Sequence, residues 1–323
     1  MNKARPALVN RRYLRIKIFQ ALYAYHRTEN ADQQKFEREM FESINRLYDL
    51  YLHLITLVMQ VGVAADEITA TNRKKNLPSD EDLNPNMRFV ENRVFKILRE
   101  NEQLKKLVER SKIDWGNEHD DVRRIFKAFK EEEAYQLFMI REDNDLSTDI
   151  ELIITLFRDH LVMNDIIHSA LEEKDIYWQD DLPMAAITVI KTLQVLPDFD
   201  ASNSTVLADL YKNKEEDQLF AKELFRKSIQ FADDYGEIIA SKADNWETER
   251  IAFLDLHLMT MALTELEHFS TIPVKVTLNE YIELAKVYST PKSKVFINGV
   301  LDKLVNDFKA EKRINKRGRG LNE

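Results

Sequence analysis

The sequence predicts an all-α protein, and three observations carry that expectation. Apolar residues recur at three- and four-residue spacing through nearly every segment, and clean two-residue alternation is hard to find. Pro183, Pro273 and Pro291 each stand where the first turn of a helix begins, the position that tolerates proline best.

Along the chain, residues 8–28 form a first helix with two apolar stripes. Leu14, Ile18, Leu22 and Tyr25 make one, and Ile16, Phe19 and Tyr23 the other, so this helix is expected to be buried on two sides. Residues 32–61 form a second, long helix whose apolar face includes Phe36, Met40, Ile44, Leu47, Leu50, Tyr51 and Leu54, with Gly62 placed to end it. The polar stretch 64–85 carries Pro78 and Pro85 and reads as a linker. Helical patterns resume at 87–111 and 121–142, and Thr148 with Glu151 forms a capping box that opens a helix running to about residue 173. A helix at 183–195 is followed by a break at LPDFDASNS. Further helices are expected at 204–212, 215–242, 246–268, 273–288 and 291–308, with Thr290 capping the last. Residues 309–323 are basic and read as a mobile tail.

Composition narrows the function. With 323 residues the chain is long enough for about two domains, and 44% hydrophobic with 32% charged residues is globular composition. No run of about 18 apolar residues is evident, so no membrane span is expected. The N-terminus is basic but passes straight into an amphipathic pattern, as in a mature cytoplasmic protein. Cysteine is absent, which removes disulfides, zinc fingers and thiol nucleophiles together. Neither GxGxxG nor GxxxxGK[ST] occurs, which disfavours a nucleotide-dependent enzyme.

Net charge is −9, yet it is unevenly spread. The first 27 residues carry seven basic and no acidic side chains, and the tail from Lys309 is also basic, so two basic termini flank an acidic body. Local charge, not the total, decides where a polyanion binds.

Near the C-terminus, FINGVL places Gly299 in the middle of an apolar helical pattern. A mid-helix glycine costs about 1 kcal/mol relative to alanine, so the expectation is a close approach of another backbone or of a ligand. A hairpin at Asn-Gly is the weaker alternative, since the flanks lack period-two alternation.

Three stretches, RRYLRIKIFQALYAY, RIAFLDLHLMTMALTEL and IPVKVTLNEYIELAKVYSTPKSKVFINGVLDKL, resemble the NusB family of bacterial transcription antitermination factors. In that family a basic first helix ends in QALY, here Gln20 to Tyr23, and the C-terminal block ends in a near match to FINGVLDKL. The likeness covers about 8–28 and 215–308. It divides the chain into a first helix with a basic N-terminus (1–30), a helical insertion of unknown role (31–200), the remainder of the NusB-like domain (201–308) and the tail. It implies a helical bundle of two small subdomains plus the insertion.

The resemblance implies binding of boxA-like single-stranded RNA together with the ribosomal protein NusE. It further implies loading with other Nus factors onto RNA polymerase in support of ribosomal RNA transcription. Phosphates call for clustered basic side chains, and unpaired bases for aromatic faces and hydrogen-bonding groups. Arg11, Arg12 and Arg15 match the family's arginine cluster, although Tyr13 stands where a further arginine is frequent. Tyr288, Lys292, Ser293, Lys294 and Phe296 occupy the stretch where family members contact RNA, and Lys292 replaces a frequently acidic position. Tyr288 and Phe296 either stack on bases or fill the core, and Tyr23 is read as core. Asp255 matches an acidic residue that faces NusE, whereas Thr260 departs from the usual arginine there. Asn298 and Gly299 take a structural role, with the glycine letting the last helix approach a neighbour.

No enzyme is expected, and no cofactor or metal. Glu265 and His268 have the spacing of a di-iron ligand pair, but the further ligands such a site needs are not evident. The competing reading is a NusB-like protein–protein interaction scaffold with little RNA affinity.

Overall fold

The computed structural model describes residues 5–143, 145–196, 206–242 and 252–321. In chain order its elements are β1 (Ala7–Val9), α1 (Arg11–His26), α2 (Gln33–Arg73), α3 (Asp80–Leu83), α4 (Arg93–Glu100), α5 (Glu102–Ser111), α6 (His119–Phe129), α7 (Glu133–Ile140), α8 (Leu146–Leu156), α9 (Asp165–Lys174) and α10 (Leu182–Val195). They continue with β2 (Asp209–Tyr211), α11 (Lys214–Gln230), α12 (Ala232–Lys242), α13 (Phe253–His268), α14 (Val274–Tyr288) and α15 (Ser293–Ala310). The all-α expectation holds, with one two-stranded exception: β1 pairs with β2 where a helix over 204–212 was expected.

The described chain divides into two compact units, one of residues 5–8 and 45–212, the other of 9–44 and 213–321. The division falls inside α2, because the first twelve helical residues pack with the second unit. There Phe36 meets the ring of Tyr25 at 5.7 Å and Glu37 pairs with Arg226. By this division the intervening unit runs from about 45 to 212.

In that unit α2 is the central helix, with Leu50, Tyr51, Leu54, Ile55, Val58 and Val61 fully buried. It is long and apolar enough to cross a membrane, contrary to expectation, but two thirds of its apolar window (67%) lies inside the protein. A core helix produces the same pattern. Gly62 does not end it. The helix continues to Arg73, and a Cβ at Gly62 would lie 2.9 Å from the Phe95 ring, so glycine lets α4 seat against α2. Much of the expected linker is therefore helix. Asn101 separates α4 from α5 by accepting from the Leu104 N–H, which splits the pattern read over 87–111. The box read at Thr148 is capped from outside instead: Asp145 accepts from the Thr148 N–H at 2.7 Å. A π-helical turn at Phe157–Leu161 then interrupts the segment expected to run to residue 173.

In the other unit α13 is buried on all sides, through Leu258, Met259, Met261, Ala262, Leu263 and Leu266, and α1, α11, α12, α14 and α15 pack around it. Expectations for 197–205 and 243–251 lie outside the described residues. The basic segment after α15 is not a loose tail over its described length. Arg313 forks onto Glu267 at 2.8 and 3.1 Å, and Lys316 donates to the carbonyls of Glu265 and Phe269 at the C-terminal end of α13. Gly320 lies against Ser270 so closely that a Cβ would stand 2.0 Å from its carbonyl oxygen.

Candidate nucleic-acid interface

Helix α1 begins against the usual electrostatic preference. Asn10 caps it by accepting from the Tyr13 N–H at 2.8 Å, but the first turn holds Arg11 and Arg12 and no acidic residue. Cations beside the positive end of a helix dipole are unfavourable, so carboxylates must come from elsewhere. They come from two helices. The acidic first turn of α11, itself well placed on its own dipole, brings Glu216 to 2.8 Å and Asp217 to 3.1 Å from Arg11. From α14, Glu280 receives the Arg12 fork at 2.8 and 2.9 Å. The Glu280 hydrogen bond raises the Arg12 pKa further, against the opposing effect of partial burial.

Arg15, one turn on, is in a different environment. Its guanidinium is 3% exposed and donates through Nε and Nη2 to Glu265 at 2.7 and 2.8 Å. Burial opposes its charge, but the attraction and hydrogen bonds of Glu265 outweigh burial and raise the Arg15 pKa. Glu265 also receives the hydroxyls of Thr277 (2.8 Å) and Tyr281 (3.3 Å). Arg15 is thus a core ion pair, inaccessible to RNA, which corrects its place in the expected cluster. Glu265 serves this pair, while His268 lies stacked on Phe231; among the described residues no group of three metal-ligating side chains occurs.

Beside this cluster opens a cavity of about 650 Å³, whose lining includes Arg11, Arg12, Glu216, Glu280, Phe269 and Ile272. Phe220 supports the Arg11 guanidinium from below at 4.2 Å.

The second expected group separates into surface and interior. Lys292 and Lys294 are exposed at the start of α15. Ser293 between them is buried and hydrogen-bonds the hydroxyls of Ser289 and Thr290 at 2.9 and 2.8 Å. It fixes the turn, as does Asp255, whose buried carboxylate accepts from Ser289. Asp255 is therefore not the exposed partner-facing carboxylate expected. Phe296 is 7% exposed and belongs to the core, whereas Tyr288 is half-buried with its ring 5.4 Å from Phe19. Thr290 contributes to the turn although Lys292 holds the N-cap position.

Gly299 corrects a further expectation. A Cβ there would meet nothing within 4 Å, so no neighbour requires the glycine. Asn298 does bond locally, donating to Asp302 at 3.0 Å.

Sequence reasoning missed an aromatic pair. Tyr23 is 41% and Phe253 37% exposed, their rings meet edge to face at 5.7 Å, and the Arg27 guanidinium lies 5.7 Å from the Phe253 ring. The signal was Tyr23 itself, which lies off the strongest apolar stripe of α1.

Known proteins resemble this chain over its C-terminal part. A NusB family model matches residues 185–306. The transcription antitermination protein NusB of Salinibacter ruber is 49% identical over 102 residues, covering 32% of this chain and 64% of that protein. That of Chloroherpeton thalassium is 42% identical over 116 residues, 36% of this chain and 53% of its own. That of Dictyoglomus turgidum is 38% identical over 97 residues, 30% of this chain and 67% of its own. The chain thus spans about half to two thirds of the length of these relatives. No solved structure matches it.

Proposed function

Because the chain belongs to the NusB family, we propose that it is a cytoplasmic transcription antitermination factor. It binds boxA-like single-stranded RNA together with the ribosomal protein NusE, and works with other Nus factors and RNA polymerase in ribosomal RNA synthesis. The observation that carries this reading is the pair Arg11 and Arg12 at the N-terminus of α1, with both guanidinium groups reaching solvent. Free N–H groups at a helix start favour a phosphate at the same place.

A strand has a path from there. Arg12 lies beside Glu280, and seven residues further along α1 Phe19 lies beside Tyr288. Since the helix rises about 1.5 Å per residue, roughly 10 Å separates the arginine pair from the half-buried Tyr288, with Lys292 and Lys294 just beyond. Phosphates then fall at the two basic ends and a base near Tyr288. The exposed pair Tyr23 and Phe253 supplies an aromatic anchor of the kind protein interfaces favour, and is assigned to NusE. In this reading Arg15, Ser293, Phe296 and Asp255 hold the surface residues in place.

One observation favours the scaffold reading: Arg11 and Arg12 are already neutralised by carboxylates. A titration separates the two. Fluorescent boxA-like RNA is added to the full chain, with and without NusE, at two salt concentrations. Salt-sensitive binding that tightens with NusE supports antitermination; NusE binding with no RNA binding supports the scaffold.

A further inference from the structure

The arginines at the start of α1 are matched by the carboxylates of Glu216, Asp217, Glu265 and Glu280. Resting on the RNA-binding reading above, we propose that Glu280 is a built-in competitor for RNA phosphate, occupying the Arg12 fork until a phosphate of the correct strand displaces it. A carboxylate and a phosphodiester each offer two oxygens on one centre, the geometry that accepts two parallel N–H bonds from a guanidinium. The 2.8 and 2.9 Å contacts of Glu280 are that geometry.

Burial decides which arginine can exchange its partner. Separating Arg15 from Glu265 would leave a charge unpaired inside the protein, so that pair stays closed. The Arg12 side chain is 50% exposed and its partner Glu280 18%, so this pair opens to water on the arginine side, where a solvent-borne group can reach the fork, and it exchanges more readily than the closed Arg15 pair. Once displaced, Glu280 keeps a cation: Arg15 Nη1 already stands 3.7 Å from its Oε2. The 650 Å³ cavity beside it leaves room for the incoming group.

The consequence is discrimination. A single loosely held phosphate must outcompete a carboxylate tethered next to its arginine, at high effective concentration. A strand also held at Lys292 and Lys294 brings its phosphate to Arg12 with the same advantage. Glu280 therefore suppresses unrelated polyanions more than the cognate strand.

The test uses the full chain with NusE, a fluorescent boxA-like RNA, and an unrelated single strand of equal length. Wild type, Glu280→Gln, Arg12→Ala and the double variant are titrated at low and high salt, with a thermal melt of each. Glu280→Gln is expected to bind about two- to five-fold tighter, as befits one screened surface pair, with the larger gain on the unrelated strand. That gain shrinks at high salt, where charges are screened within a few ångströms. It disappears when Arg12 is alanine. Should Glu280→Gln lower the melting temperature sharply, Glu280→Asp replaces it, keeping the charge but shortening the arm that makes the fork; a smaller gain is then expected.

A gain of the same size without Arg12 overturns the proposal, because bulk repulsion would then explain it. Unchanged or weaker binding by Glu280→Gln, with Arg12→Ala still weakening RNA, overturns the competitor role while leaving the RNA site intact. Absence of RNA binding by wild type under every condition overturns the RNA reading itself, and this proposal with it.

Discussion

Arg15 and Glu265 form a two-bond ion pair closed off from water, 2.7 and 2.8 Å long, joining α1 to α13. Removing one partner of such a pair strands the other charge. Arg15→Met is therefore expected to destabilise the fold by about 3–5 kcal/mol, whereas Arg15→Met with Glu265→Leu recovers most of the loss. Urea unfolding of the single and double variants measures both.

His257 gives the protein an acid sensitivity. Burial, with the nearby His26 adding to it, lowers its pKa to about 4 despite the Nδ1 contact to the Phe253 carbonyl. The unfolded chain, with an ordinary histidine near 6.5, binds more protons between pH 4 and 6.5, so stability rises with pH across that window and falls on acidification. His257→Phe is expected to flatten that slope, by roughly 1–3 kcal/mol over the window. Melting curves at stepped pH report it, and an unchanged slope assigns the effect elsewhere.

Two helix-interior glycines, Gly62 and Gly299, are expected to respond oppositely to alanine. Gly299→Ala stabilises by up to about 1 kcal/mol, because nothing occupies the space. Gly62→Ala destabilises, because its methyl group meets the Phe95 ring at 2.9 Å. Paired denaturation curves with the same sign for both would contradict this.

The segment after α15 is expected to be protected as long as Gly320 fits under Ser270. Gly320→Ala places a Cβ at 2.0 Å from that carbonyl, so the segment must lift. Faster tryptic cleavage at Arg313, Lys316 and Arg317 follows; equal rates in both proteins would show that the contact does not hold it.

How much of this was legible in the sequence follows from which forces act locally. Helical periodicity, proline at the first turn and the QALY and FINGVL blocks sit within a few residues of one another, so α10, α14 and α15 were readable nearly to their ends and α13 at its C-terminal end. Gly62 and Gly299 were read the wrong way round, because whether a glycine ends a helix, admits a ring or faces open space depends on residues far away in the chain, here Phe95. The arginines show the same limit. Their shared face on α1 was visible from spacing, but Glu265 lies 250 residues on, and only the fold separates the buried Arg15 from the solvent-reaching Arg11 and Arg12. Asp255 and Ser293 look like surface residues by type and become structural through one turn that brings Ser289 to both.

The most direct test of the account is RNA binding by Arg11→Ala with Arg12→Ala, measured beside its melting temperature across a salt series. The account predicts weaker binding, a salt dependence shallower by about two phosphate contacts, and a melting temperature within a few degrees of wild type. Unchanged RNA affinity alongside a large loss of stability would contradict it, and would make the α1 arginines part of the scaffold alone.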